Sequence, residues 1–74
     1  IRYHLPHHGP VRAYITNING KTVTTFVDQQ QHAGHYRIIW HGKSDQGIPL
    51  SSGLYFLIIQ FENKIQTRKL TYMK

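Results

Sequence analysis

The sequence contains no cysteine and only three acidic residues among its 74. Without thiols, neither disulfides nor zinc–thiolate centres can stabilise the fold, and no cysteine nucleophile is available. The carboxylates of Asp28, Asp45 and Glu62 lie in separate polar segments. A carboxylate pair or a Ser-His-Asp triad would require these segments to converge. We therefore expect that the chain is not an enzyme and uses no cofactor.

The sequence also lacks a long apolar run and any helical pattern. Its longest apolar run, 54–59, is far shorter than the roughly 18 apolar residues that indicate a membrane helix. Apolar residues do not recur at i, i+3, i+4 and i+7 over three turns, so no helix is predicted. The length suits one domain, residues 1–74, with a thin core.

Positive charge dominates, with a net charge of +6 and a pI of about 10.0. The basic residues are scattered, and only Arg68 and Lys69, with Lys74 nearby, form a local cluster. No RNA- or DNA-binding motif accompanies them. The charge therefore indicates solubility and a general attraction to anionic partners, and nucleic acid is not expected as a partner.

Short segments of alternating hydrophobicity follow one another along the chain, with turn residues between them. Residues 1–5 and 11–15 alternate with a period of two. Asn19-Gly20 predicts a hairpin with positive φ at both positions, because Asn-Gly is the strongest short hairpin signal. The predicted partner and later strands are 21–27, 33–41, 54–61 and 64–73, with a loop at 28–32, a long connection at 42–52 and a tight turn at 62–63.

Six or seven short strands predict an all-β fold, an immunoglobulin-like (fibronectin III-like) antiparallel β-sandwich. An up-and-down barrel is the alternative, but it usually needs longer strands. Trp40 shares a strand face with Tyr36 and Ile38, which predicts a place in the core. The alternative interpretation makes Trp40 and Tyr55 a platform for stacking sugars.

The six histidines raise the question of a metal site. His35 and His41 share a predicted strand face, but six residues of strand separate them by about 20 Å. His7 and His8 are adjacent in a loop rich in proline and glycine, and they are the best candidate ligands. We favour surface imidazoles over a metal site.

The segment 54–61 is apolar on both faces, although a strand of a two-layer sandwich normally buries only one. Tyr55, Leu57, Ile59 and Phe61 would fill the buried face. An apolar outer face usually marks an interface. The predicted interface residues, which would contact another domain or subunit, are Ile39, Leu54, Phe56 and Ile58.

Several short motifs, each weak alone, occur in an order and spacing that resemble a known family. The resemblance is to the FlgD-like immunoglobulin domain, which overlaps the C-terminal sorting domains of the type IX secretion system. It extends over essentially the whole chain. The motifs are Ile1-x-Tyr3-x-Leu5-Pro6-x-x-Gly9-x-Val11, Asn17-x-x-Gly20, Ala33-Gly34, Trp40-x-Gly42, Asp45-x-Gly47, Ser52-Gly53-Leu54-Tyr55-Phe56 and Thr67-Arg68-Lys69-Leu70.

The resemblance implies a C-terminal module of a larger secreted bacterial protein, covalently linked to N-terminal cargo domains. Its partner would be the type IX secretion machinery in the outer membrane, and its location would be the cell surface or the medium, reached through the periplasm. Ile58 stands where the family often has a charged residue, which favours the alternative of a permanent structural module that packs on a neighbour. The implied sorting signal is Thr67, Arg68, Lys69, Leu70 and Lys74.

Overall fold

A computed structural model describes residues 1–74 and contains six β-strands and no helix. This confirms the all-β prediction. No membrane-spanning helix is present. The strands are β1 (Arg2–Leu5), β2 (Gly9–Thr16), β3 (Thr22–Gln31), β4 (Gly34–Arg37), β5 (Gly53–Phe61) and β6 (Lys64–Tyr72).

The strands form two antiparallel sheets that pack as an immunoglobulin-like sandwich. One sheet has four strands in the order β3-β2-β5-β6, and the other pairs β1 with β4. The larger sheet therefore ends in β3 on one side and β6 on the other. The smaller sheet, with four residues in each strand, is too small to cover the whole inner face of the larger one.

Alternating side chains of both sheets fill the core between them, as the period-two pattern predicts. Every second residue of β5, from Tyr55 to Phe61, is buried, which confirms the predicted inner face of that strand. The buried apolar residues are Tyr3, Leu5, Val11, Ala13, Ile15, Ile38, Tyr55, Leu57, Ile59 and Phe61.

The first hairpin differs from the two-residue Asn-Gly turn that the sequence predicts. Thr16 pairs with Thr22, so the loop has five residues, 17–21. The Asn17 carboxamide oxygen accepts bonds from the amides of Asn19 (2.9 Å) and Lys21 (3.0 Å). Only Gly20 has positive φ, at 83°. The Asn17 side chain adds these bonds to two backbone ones, from the Asn17 amide to the Lys21 carbonyl and from the Gly20 amide to the Asn17 carbonyl.

The predicted loop at 28–32 is wrong, because β3 continues to Gln31. Its second half pairs with the start of β2, from Gly9 opposite Gln31 to Arg12 opposite Asp28. Exposed glutamines suit this end of the strand, because β2 supplies its pairing partner and polar side chains are compatible with a solvent-facing edge.

The predicted strand at 33–41 is shorter than expected and ends at Arg37. Beyond it the chain crosses between the sheets, and Gly42 adopts a φ of +73°. We call residues 42–50 the crossover segment. It packs on β3, where the Thr24 hydroxyl donates to the Lys43 carbonyl at 2.7 Å and the Asp45 amide donates to the Val23 carbonyl at 3.0 Å.

The second hairpin joins β5 to β6 through the predicted two-residue turn. Phe61 pairs with Lys64 across it. Glu62 has a φ of 57°, the only positive value at a non-glycine residue. β6 pairs with β5 along its whole length and with no other strand.

Candidate functional site

The outer face of the four-stranded sheet carries an apolar patch centred on β5. Leu54 is 43% exposed, and Phe56 and Ile58 are half-buried. In register with them, Tyr14 of β2 lies opposite Ile58, and Lys69 of β6 lies opposite Phe56. The structure thus brings together three of the four predicted interface residues.

Ile39 lies apart from that patch. It follows β4 in the other layer, is 58% exposed, and lines a cleft with Leu70 and Tyr72 of β6. Residues 28–31, expected from the sequence to form a loop, belong to β3 and lie on the far side of β2 from β5, so they do not fold over the β5 patch. Phe56 and Ile58 remain partly open to solvent on this face.

The residues of the implied sorting signal lie on β6, except for Lys74. Their side chains alternate between the two faces of the sheet. Arg68 lies opposite the buried Leu57, which places it on the inner face, and Lys69 lies opposite Phe56 on the outer face. Thr67 shares the face of Lys69, and Leu70 shares the face of Arg68. The Lys74 amide donates to the Ser52 hydroxyl at 3.0 Å.

A trench separates β6 from the two-stranded sheet. Its first cleft, about 530 Å³, lies between 3–7 and 64–66. Its second cleft, about 690 Å³, lies between the β1–β4 pair and the side chains of Gln66 and Arg68. Its third cleft, about 360 Å³, places Ile1 and Ile39 opposite 70–72. The clefts follow β6 from one end to the other, and β1 runs antiparallel to β6 across them.

The second cleft is strongly cationic. Arg2 and Arg37 are directly opposite each other in the β1–β4 pair, and both line it together with Arg68. His4 and His35, the next outward-facing pair, stack with ring centroids 4.5 Å apart. No carboxylate lines this cleft. Sequence reasoning missed it, because only the pairing of β1 with β4 brings these residues together.

The side chains of the candidate ligands His7 and His8 have other partners. No group of three or more histidine, aspartate or glutamate residues is placed to hold an ion. In the candidate pair, the His7 ring contacts Glu62 (Nε2 to Oε1, 3.0 Å) and the His8 ring contacts the Gln30 carboxamide oxygen at 3.1 Å. Both rings act as surface hydrogen-bonding groups.

The three carboxylates have different partners and do not form a cluster. Asp45 accepts from the Thr25 amide at 3.0 Å, Glu62 contacts His7, and Asp28 lies opposite Arg12 in the β2–β3 pair. Tyr3 is buried in the core. Burial raises the pKa of its hydroxyl above the usual value, although the hydrogen bond to Gln31 (2.7 Å) opposes the rise.

Trp40 lies at the rim of the core rather than inside it. The ring is half-buried and packs against Tyr55 and Tyr72, with centroids 5.1 and 5.3 Å away. Its indole N–H donates to the Lys43 carbonyl at 3.1 Å. Tyr55 is buried and donates to the Ser51 carbonyl at 2.7 Å. The two rings meet edge to face and offer no flat platform for a sugar.

The sequence model of the FlgD Ig-like domain family matches residues 3–64. This range runs from β1 to the first residue of β6 and includes every strand of the core. Comparison with curated proteins and with solved structures gave no match. Because the family model covers most of the chain, the protein belongs to the FlgD Ig-like domain family.

Proposed function

We propose that this domain is the C-terminal sorting and anchoring module of an exported bacterial protein, which it directs through the type IX secretion system to the cell surface. Family membership supports the immunoglobulin-like scaffold. The observation that carries the proposal is the cationic strand β6, an edge strand with Arg68 and Lys69 on opposite faces. An edge strand leaves backbone groups and side chains open to a receptor.

In this proposal the domain acts by binding and performs no chemistry of its own. Its partners are the secretion machinery in the outer membrane and the cargo domains to which it is linked. The scattered carboxylates and the surface histidines support a binding role over a catalytic one.

The proposal is tested by fusing the chain to a reporter in a bacterium that has the type IX system. Deletion of 69–74 should trap the reporter in the periplasm. That deletion also removes Lys69, the partner of Phe56, and the half-buried Tyr72, so a gentler variant is needed. Arg68→Gln with Lys69→Gln keeps the strand and removes two charges.

The matched control is Arg12→Gln with Lys21→Gln, which removes the same charge from β2 and its hairpin loop. The control should be exported normally, and the β6 variant should accumulate in the periplasm while retaining the circular dichroism of the parent. Undiminished export of both the deletion and the β6 variant would rule out a sorting signal in this strand.

A second candidate, a permanent structural module, is favoured by the apolar patch of Leu54, Phe56 and Ile58 on the outer face of β5. Phe56→Lys with Ile58→Lys tests it. If the patch docks on a neighbouring domain or subunit, the variant folds with near-normal stability and loses that association in sedimentation analysis. If the variant fails to fold, these side chains belong to the core and the module has no interface there.

A further inference from the structure

The trench between β6 and the two-stranded sheet combines an open strand edge with a cluster of uncompensated positive charge. We propose that it binds an extended acidic peptide segment of a partner protein, which pairs as an additional strand with the free edge of β6 and places its acidic side chains toward Arg2, Arg37 and Arg68. This binding activity does not depend on a role in secretion.

The positive charge of the second cleft has no carboxylate counterpart within the chain. Like charges directly opposite each other in a β-pair are unfavourable, yet Arg2 and Arg37 occupy such positions. Neither makes an ion pair, and the Arg68 guanidinium donates a hydrogen bond to the neutral Gln66 carboxamide oxygen at 3.3 Å. The one carboxylate along the trench, Glu62, lies at its far end against His7.

Arginines suit carboxylates in particular, because the planar guanidinium donates two parallel hydrogen bonds to the two oxygens. Arg2, Arg37 and Arg68 come from two sheets and line one cleft. An acidic side chain entering that cleft from a strand beside β6 would lie next to Arg68. Successive side chains of a strand alternate in direction, so every second residue of the partner would face the cleft.

The backbone on the trench side of β6 favours a peptide over other polyanions. β6 is the last strand of its sheet, and its outer edge is free from Lys64 to Tyr72. Addition of a peptide strand to such an edge is an established mode of recognition, in which main-chain hydrogen bonds give affinity and side-chain pockets give specificity. The third cleft, lined by Ile1, Ile39 and Leu70, can take an apolar residue at one end of the peptide.

A second copy of this chain is a poor occupant. Its own β6 carries Lys64, Arg68 and Lys69 and no acidic residue, and the whole chain has a net charge of +6. Pairing of two β6 edges would bring these charges together, whereas an acidic strand would neutralise them.

The probe is a synthetic peptide of alternating glutamate and valine with blocked ends, titrated into the whole chain by isothermal calorimetry. Three control ligands separate the contributions of main-chain pairing and of negative charge. One is N-methylated at alternate residues and cannot pair along that edge, one has lysine in place of glutamate, and dextran sulfate supplies negative charge without a peptide backbone.

We expect the glutamate peptide to bind and the lysine peptide not to bind. N-methylation should weaken binding by about tenfold or more, because it removes main-chain hydrogen bonds. Arg2→Gln with Arg37→Gln should weaken it by about tenfold. Arg12→Gln with Lys21→Gln removes the same net charge from the far side of the sheet and should change binding by less than about twofold.

Three results would overturn the proposal: no binding of the glutamate peptide at millimolar concentration, equal binding of its N-methylated form, or equal losses in the two arginine-containing double variants. Equal binding of the N-methylated peptide together with tight binding of dextran sulfate would identify a general polyanion surface instead. Circular dichroism of each variant establishes that it is folded, so a loss of binding reports on the trench.

Discussion

The two edges of the four-stranded sheet are treated differently by the rest of the chain. At β3, the crossover segment lies along the first half of the strand, where the Lys43 carbonyl accepts from Thr24 and the Asp45 amide donates to Val23. At β6, no segment pairs with the free edge, and a trench lies beside it. Exposed edges promote unwanted pairing unless they are covered or charged. This chain covers one edge and charges the other.

Gly42 begins the crossover segment and lies against Tyr72 of β6. Of the substitutions considered, its replacement should lower stability the most. A Cβ atom at this position would lie 2.2 Å from the Tyr72 ring of β6, and the backbone φ is +73°. Gly42→Ala should lower the free energy of unfolding by about 2–5 kcal/mol, since backbone strain and overpacking add. Urea denaturation measures the loss.

Gly47→Ala is the matched control in the same segment. Its φ is +79°, but nothing lies within 4 Å of an added Cβ. It should cost only the backbone strain, about 1–2 kcal/mol. Equal losses in the two variants would mean that Tyr72 moves aside freely and that the crossover does not hold β6 in place.

The covered edge depends on Asp45, whose carboxylate accepts from the Thr25 amide at 3.0 and 3.2 Å. Asp45→Ala should destabilise the domain by about 1–2 kcal/mol. A hydrogen bond to a charged group stabilises more than a neutral one, but the exposure of Asp45 reduces this gain. The substitution should also speed amide hydrogen exchange in the first half of β3.

Asp28→Ala provides the comparison farther along the same strand, where the carboxylate makes no recorded hydrogen bond. We expect a change within about 0.5 kcal/mol for it. If Asp28→Ala costs as much as Asp45→Ala, net charge rather than the cover over β3 explains both losses.

Tyr3 joins the trench side of the sandwich to the far end of β3, through its hydrogen bond to Gln31. Burial raises the pKa of this hydroxyl, so the folded state retains the proton more tightly than the unfolded state. The contribution of Tyr3 to the free energy of unfolding is therefore fully present below about pH 10, the ordinary tyrosine pKa, and is lost as the pH rises above it.

Tyr3→Phe should cost about 0.5–1.5 kcal/mol at neutral pH, through loss of the hydrogen bond. Above pH 10 its stability should fall less steeply than that of the parent, so the two curves converge. Denaturant unfolding between pH 7 and 11 tests this. Parallel curves over the whole range would show that the buried hydroxyl does not control alkaline unfolding.

Removing the charges of the β6 edge should change self-association rather than the free energy of unfolding. Lys64→Thr with Arg68→Thr and Lys69→Thr should change unfolding free energy by no more than about 0.5 kcal/mol. The variant should self-associate, because threonine suits strands and the repelling charges are gone. Sedimentation velocity over a range of concentrations measures this.

Removal of three charges elsewhere separates edge pairing from a general loss of repulsion. Arg12→Thr with Lys21→Thr and Lys43→Thr should remain monomeric under the same conditions. Association of both variants to the same degree would attribute it to net charge, and the charges of β6 would then have no special part in protecting the edge.

Patterns of apolar residues along the sequence predicted the buried strand β5. They did not predict the segment of β3 that is held only by its pairing with β2. The apolar run at 54–61 predicted the strand β5, and every second residue from Tyr55 to Phe61 is buried, as expected. The extension of β3 to Gln31 escaped prediction, because its glutamines carry no burial signal and are held only by pairing with β2.

The two candidate sites also differ in how far the sequence predicts them. The apolar outer face of β5 was visible in the sequence, because Leu54, Phe56 and Ile58 are spaced two apart on one strand. The cationic cleft was not visible, because Arg2, Arg37 and Arg68 meet only through the pairing of β1 with β4 and the approach of β6. Separation along the chain hides such a cluster from any local pattern.

The central position of β2 has a consequence for the order in which the chain folds. β2 pairs with β3 through a short loop, but its other neighbour, β5, follows only after β3, β4 and the crossover segment. Non-local pairing is slow to form, since loop closure must precede the contacts that stabilise it. We therefore expect the β2–β3 hairpin to form early, and docking of the β5–β6 hairpin onto β2 to limit the folding rate.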